Sequence, residues 1–147
     1  MNQQVEMDYQ KRIVRWISMV CVLCYVFYCM PVCAKPPLNT VKHIDDGLFD
    51  VAVANVIRKR CDNIEGRFFK AIFFLQELKS DAYALGYKDA DIEAFIDSDV
   101  EKERIKMRGQ ELFSSRGVDP QQLDDFCQFG LEEIEKQSRI GVLLKAK

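Results

Sequence analysis

The chain is poor in the residues from which common active sites are built. It has one histidine, His43, and one tryptophan, Trp16. A nucleophile, a base and an orienting group cannot be assembled around a lone histidine in a linker-like region. No cysteine beyond residue 34 belongs to a Cys-x-x-Cys, so a zinc site or a thioredoxin-type pair has no ligands to use. Asp89-Ala90-Asp91 lacks the third ligand, the turn glycine and the closing glutamate of a calcium loop. No glycine-rich phosphate loop is present, and no cofactor is expected. The formal net charge is only −2, and no dense basic stripe interleaves with aromatics, which argues against nucleic acid as a partner. No segment alternates with period two over strand length, so no sheet is expected. No repeat of 20 to 50 residues appears.

What is present is ordinary globular material in a chain of 147 residues, 48% hydrophobic and 30% charged, enough for one core. Its first 34 residues differ from the rest. Lys11, Arg12 and Arg15 precede an apolar run from Ile17 to Val32, broken by Pro31 and followed by Val32-Cys33-Ala34. That order is a basic region, an apolar region and a small-residue cleavage site, as in a secretory signal. Cleavage after Ala34 would leave Lys35 as the new terminus and a chain of net charge −3, since the segment holds three bases against Glu6 and Asp8. An uncleaved anchor over residues 17–34 is the alternative, being close to the length that spans a bilayer. The membrane then enters only through this segment.

Cys21, Cys24, Cys29 and Cys33 lie in or beside the apolar run, which leaves Cys61 and Cys127. An even pair in an exported domain reads as a disulfide; two unrelated buried thiols are the competing reading. Closing a loop of about 67 residues would destabilise the unfolded chain by roughly 4 kcal/mol in the entropy account.

Residues 35–44, with Pro36-Pro37, read as a linker, and residues 45–147 as an all-α bundle of four to five helices. Asp45 or Asp46 can cap a first helix over 47–60. A second helix over 64–85 has the clearest stripe, Phe68, Ile72, Leu75, Leu78, Ala82 and Leu85, ended by Gly86. Phe69, Phe73 and Phe74 widen its apolar surface, which predicts either a helix at the centre of the bundle or an exposed partner surface. Asp89 can cap a third helix, and Ser98-Asp99-Val100-Glu101 reads as a capping box that restarts it beyond a bend near Asp97. The charges that follow, Glu101 to Arg108, read as a solvated face, closed by Gly117. Asp119-Pro120-Gln121-Gln122 predicts the start of a last helix with Leu123, Phe126, Cys127, Leu131 and Ile134 on one face and Gly130 allowing close approach. Ile140, Val142, Leu143 and Leu144 should dock on the bundle.

Ile57-Arg58-Lys59-Arg60-Cys61, Ile64, Arg67, Leu78, Ala84-Leu85-Gly86-Tyr87, Ile92, Phe126-Cys127, Gly130, Glu133-Ile134 and Ser138 through Leu144 together resemble a domain-of-unknown-function family of short exported alphaproteobacterial proteins. The likeness covers about residues 45–145, and the two cysteines are its most specific elements. It implies a periplasmic address and the disulfide, and brings no functional residues.

Two functions remain in view. One is a non-enzymatic periplasmic interaction or accessory module, of stress-chaperone or immunity type by analogy of fold alone, whose partner is another envelope protein. The other is an envelope-polymer hydrolase whose acids meet only in three dimensions, in a pocket with two carboxylates about 5 to 9.5 Å apart. The paired acids Asp45-Asp46, Asp97/Asp99 and Asp124-Asp125 fall at helix starts, where capping and the dipole explain them better than catalysis.

Overall fold

The computed structural model describes residues 35–147. The segment read from sequence as a signal or anchor, with Ala34 on one side of the expected cleavage site, lies outside the described residues; Lys35 is the first residue within them. Five helices and one small antiparallel sheet make up this part of the chain.

The axis of the fold is α1 (Lys42–Arg60). Phe49, Val53 and Ile57 recur every four residues along it and are buried, with Ile57 wholly enclosed. The helix starts five residues earlier than the sequence suggested. Asp45 and Asp46 are therefore not caps but sit inside it, because arginines from another helix hold their carboxylates. Residues 35–44, read from sequence as a linker, hold a short 3-10 turn at Leu38–Thr40 and the first turn of α1. Leu38 is buried there with Ile44, Ala82, Tyr87 and Ile92 in a small second core.

Past Cys61 the chain turns into β1 (Ile64–Gly66), not directly into a helix. Its partner is β2 (Leu144–Ala146), with Ile64 opposite Ala146, Glu65 opposite Lys145 and Gly66 opposite Leu144. The all-α bundle is as expected, and this small sheet corrects only the expectation that no strand would form. Strands of three residues are too short to show an alternating pattern, so no periodicity could announce them. Ile64 and Leu144 are fully buried, and Lys145 pairs with Glu65 across the strands.

Next come α2 (Phe68–Ala84), α3 (Asp89–Asp97), α4 (Asp99–Ser115) and α5 (Leu123–Glu135). Gly86 and Gly117 adopt the left-handed backbone that closes α2 and α4, as their positions in sequence implied. Lys88, one residue before Asp89, caps α3, and its backbone N–H donates to Asp91. The restart at Ser98 is as expected: its hydroxyl accepts from the Glu101 N–H. The last helix begins at Leu123, three residues late, since Asp119 accepts from the Gln121 N–H in a tight turn and spends its capping oxygen there.

The main core lies between α1, α5 and the C-terminal segment. Phe126 and Phe129 meet Phe113 of α4 edge to face, at 5.1 and 5.5 Å between ring centres. Ile140, Leu143 and Leu144 dock on them, as the terminal apolar group predicted. Leu123 does not join this face and is exposed.

Candidate functional site

Cys61, at the end of α1, and Cys127, in the second turn of α5, form a disulfide with Cα atoms 5.6 Å apart. The bridge joins the two helices whose buried faces carry Ile57 and Phe126, so it clamps the main core from one side. The reading of two unrelated thiols is excluded.

α2 distributes its apolar residues over three directions. Leu78 and Ala82 are buried in the fold. Phe68, Ile72 and Leu75, spaced by four and three, line a groove. Phe69 and Phe73 share a third face and stand 76% and 67% exposed, beside Phe68 at 69%. Phe68 and Phe69 pack edge to face at 5.9 Å. Phe74 parts from the other two, being half-buried against the main core. The expectation that α2 sits at the centre is thus corrected: α1 occupies that place. Its flanks are taken by α5 and the C-terminal segment as well as by α2, so α2 is left at the edge with more apolar surface than one buried face can use.

The groove measures about 310 Å³. Val51 and Ala54 of α1 form one wall, Ala71 and Ile72 of α2 the other, and Leu143 and Leu144 the floor. Its charged groups are Arg58 and Arg67. Neither has a carboxylate partner within 4.0 Å among the described residues. No acid lines this groove, so it cannot be the two-carboxylate pocket of a hydrolase. A shallower hollow beside Lys35 does contain Asp91 and Glu101. Asp91 is held by Lys35 and by the Lys88 N–H, and Glu101 by Asn39 and Arg104, so both are already engaged in structure.

A second group of acids, Asp45, Asp46 and Asp50, lies where α1 meets α4 and the C-terminal loop. Arg104 donates to Asp45 and, at 2.7 Å, to Glu101; Arg108 donates to Asp45 at 3.0 Å and to Asp46. These arginines, read from sequence as part of a solvated face, reach across to another helix. Hydrogen bonds from Lys42 and then Arg108 hold the Asp46 carboxyl below its ordinary range, and the bond to Asp45 raises the Arg104 guanidinium. Burial pushes Asp50 the other way, above the usual carboxylate range, against the pull of Arg139. Arg139 Nε lies 2.7 Å from Asp50 Oδ2, yet its N–H does not point at that oxygen, which has an ion-pair partner but no hydrogen bond. The cluster is a mutual neutralisation that ties three elements together. Within it no carboxylate pair stands free; a separate hollow beside Arg116 is lined by Asp125 and Glu132, the latter paired with Lys136 at 3.1 Å.

Among the described residues, no group of three or more histidine, cysteine, aspartate or glutamate side chains is placed to hold a metal ion, and no helix is long and apolar enough to cross a membrane. Sequence reasoning singled out the phenylalanines and cysteines but not Arg58 and Arg67 as site residues. The groove unites residues 51–75 with 143–144, and no local pattern links segments so far apart. A family model described as a family of unknown function (DUF5333) matches residues 36–145. No curated protein and no solved structure matches the chain.

Proposed function

This chain belongs to the family of unknown function DUF5333, whose model takes in most of its length, and from its geometry we propose that it is a non-enzymatic interaction module of the periplasm. Its partner is an apolar segment of another envelope protein, and its docking surface is the Phe69 and Phe73 face of α2. One observation carries this reading: two phenylalanines a helical turn apart, with Phe68 at their side, stand more than two-thirds exposed on an ordered helix. Large contiguous apolar patches of that kind on a water-soluble surface mark interaction sites, and aromatic residues dominate the energetics of such sites. Charge around the patch limits the partner further. Arg67 and Lys70 flank it in sequence, both exposed, and the first turn of α2 holds no acid, so acidic residues beside the partner's apolar segment complement it.

The periplasmic address is supported by the leader-like first 34 residues and by the disulfide, which persists in oxidising compartments. The test uses the full chain in living cells, with a photo-crosslinking residue at Phe69. The expected result is one discrete adduct with an envelope protein, lost when Phe73 is replaced by Asp. Adducts confined to cytosolic proteins, or adducts indifferent to Phe73→Asp, overturn the proposal. In the same cells Cys61 and Cys127 should resist thiol alkylation until reductant is added; reactive thiols would remove the address.

A further inference from the structure

The groove on the neighbouring face of α2 has a chemistry of its own. Its walls and floor are mostly aliphatic, contributed by Val51, Ala54, Ala71, Ile72, Leu143 and Leu144, with Phe68 and the amide of Asn55 on the lining as well. Its volume of about 310 Å³ falls at the small end of ligand sites, which begin near 300 Å³. Every charged side chain on its lining is a guanidinium.

The two arginines are placed by the fold. Gly66 has no side chain, and Arg58 Cδ lies 2.8 Å from the point where a Cβ would stand, so the arginine's stem crosses the strand at this glycine. Any larger residue at position 66 would push it away. Arg67 is pinned through its backbone, whose N–H donates to the Leu143 carbonyl at 2.8 Å. Both guanidiniums lack a carboxylate within 4.0 Å among the described residues, whereas Arg104, Arg108 and Arg139 are all paired with acids. Arg60 is likewise free of an acid but is engaged with the Phe126 ring and the Pro120 carbonyl, so Arg58 and Arg67 are the two that face an apolar hollow.

We infer that the groove binds a single-chain anionic amphiphile, a free long-chain fatty acid, with its acyl chain along the aliphatic walls and its carboxylate on Arg58 and Arg67. The groove is half-open and bounded by α1, α2 and the C-terminal segment, a shape for one chain. Guanidinium is the cation that matches a carboxylate with two parallel hydrogen bonds. A cationic amphiphile would meet two like charges, and a neutral one would leave both unpaired. The inference goes beyond the proposed protein interface; Phe68 and Arg67 border both surfaces, but Phe69 and Phe73, which carry the interface, do not line the groove and so tell the two apart.

The probe is dodecanoate, titrated below its micelle concentration into the full chain, with methyl resonances of Ile72, Leu143 and Leu144 as the readout. Saturable one-to-one shifts at these three residues are expected, with dodecyltrimethylammonium leaving them in place. Arg58→Glu/Arg67→Glu should weaken dodecanoate binding by roughly tenfold or more, the scale of two partly exposed ion pairs lost and reversed. Ala71→Met, which fills the groove without altering charge, should abolish the shifts and serves if the double variant does not fold. Phe69→Ser/Phe73→Ser should leave them unchanged, so loss of the protein interface and loss of this site are told apart. Equal response to the cationic probe, no shift at these methyls, or saturation only with anionic phospholipid vesicles overturns the inference.

Discussion

Gly141 is packed onto the backbone of Glu133: a Cβ at position 141 would lie 1.8 Å from the Glu133 carbonyl oxygen and 2.7 Å from the Ile134 nitrogen. This contact seats the C-terminal segment, with its 3-10 turn at Gly141–Leu143, on the end of α5. Ser138 holds the turn, its hydroxyl accepting from the Gly141 N–H at 3.0 Å. Backbone cannot yield as a side chain can. Gly141→Ala is therefore expected to cost more than about 3 kcal/mol. Gly130→Ala should cost less, about 1 to 3 kcal/mol. There the obstacles are side-chain methyl groups rather than backbone, Ile57 Cγ2 and Ile64 Cδ1, each 2.7 Å from the added atom. Urea denaturation of both variants checks the order; a harmless Gly141→Ala would contradict the docking of this segment.

The Cys61–Cys127 bridge closes most of the fold, the two residues lying 66 apart in sequence. Cys61→Ser/Cys127→Ser is expected to lower stability by about 2 to 5 kcal/mol. Reductant should lower the Tm of the native protein and leave that of the double variant unmoved. An unchanged Tm in the variant would mean that the core holds α1 and α5 together without the clamp.

Asp46 and Asp50 lie one helical turn apart on α1, and their carboxyl pKa values are shifted in opposite directions. The carboxyl of Asp46 is depressed below 3.8, so its contribution is present above that value and is lost as pH falls through its lower folded pKa. Asp50 is raised above 3.8, so the folded state holds its proton more tightly than the unfolded chain does. Its ionisation therefore costs stability as pH rises from 3.8 through the raised folded value, and the cost persists at neutral pH. Asp46→Asn should destabilise the protein at pH 7, while Asp50→Asn should relieve the burial penalty and flatten the profile just above pH 3.8. Stability measured by denaturant between pH 3 and 7 distinguishes them; a steeper profile in Asp50→Asn would reverse the assignment.

Phenylalanines of the two kinds should behave differently on replacement. Phe69→Ser/Phe73→Ser is expected to change stability by no more than about 0.5 kcal/mol per site. Phe126→Ala, wholly enclosed against Phe113 and Ile57, should cost about 3 to 5 kcal/mol. Thermal denaturation reads both. A large loss at Phe69 or Phe73 would return α2 to the interior.

Local order in this protein was decided by the sequence itself. Helix stops at Gly86 and Gly117 follow from the left-handed backbone that only glycine adopts cheaply, and the restart at Ser98 from a hydroxyl that accepts the N–H of Glu101. Parity among the cysteines pointed to Cys61 and Cys127, and the apolar run 140–144 to a docked terminus. Tertiary structure alone decided which surfaces meet. Periodicity marked α2 as apolar but could not say which of its faces would be covered, because burial depends on where α1, α5 and the C-terminal segment settle. Asp45 and Asp46 looked like caps because their partners, Arg104 and Arg108, lie about 60 residues away. For the same reason no local pattern could reveal a three-residue strand paired across the chain, or Arg58 and Arg67 at the mouth of a groove floored by Leu143 and Leu144.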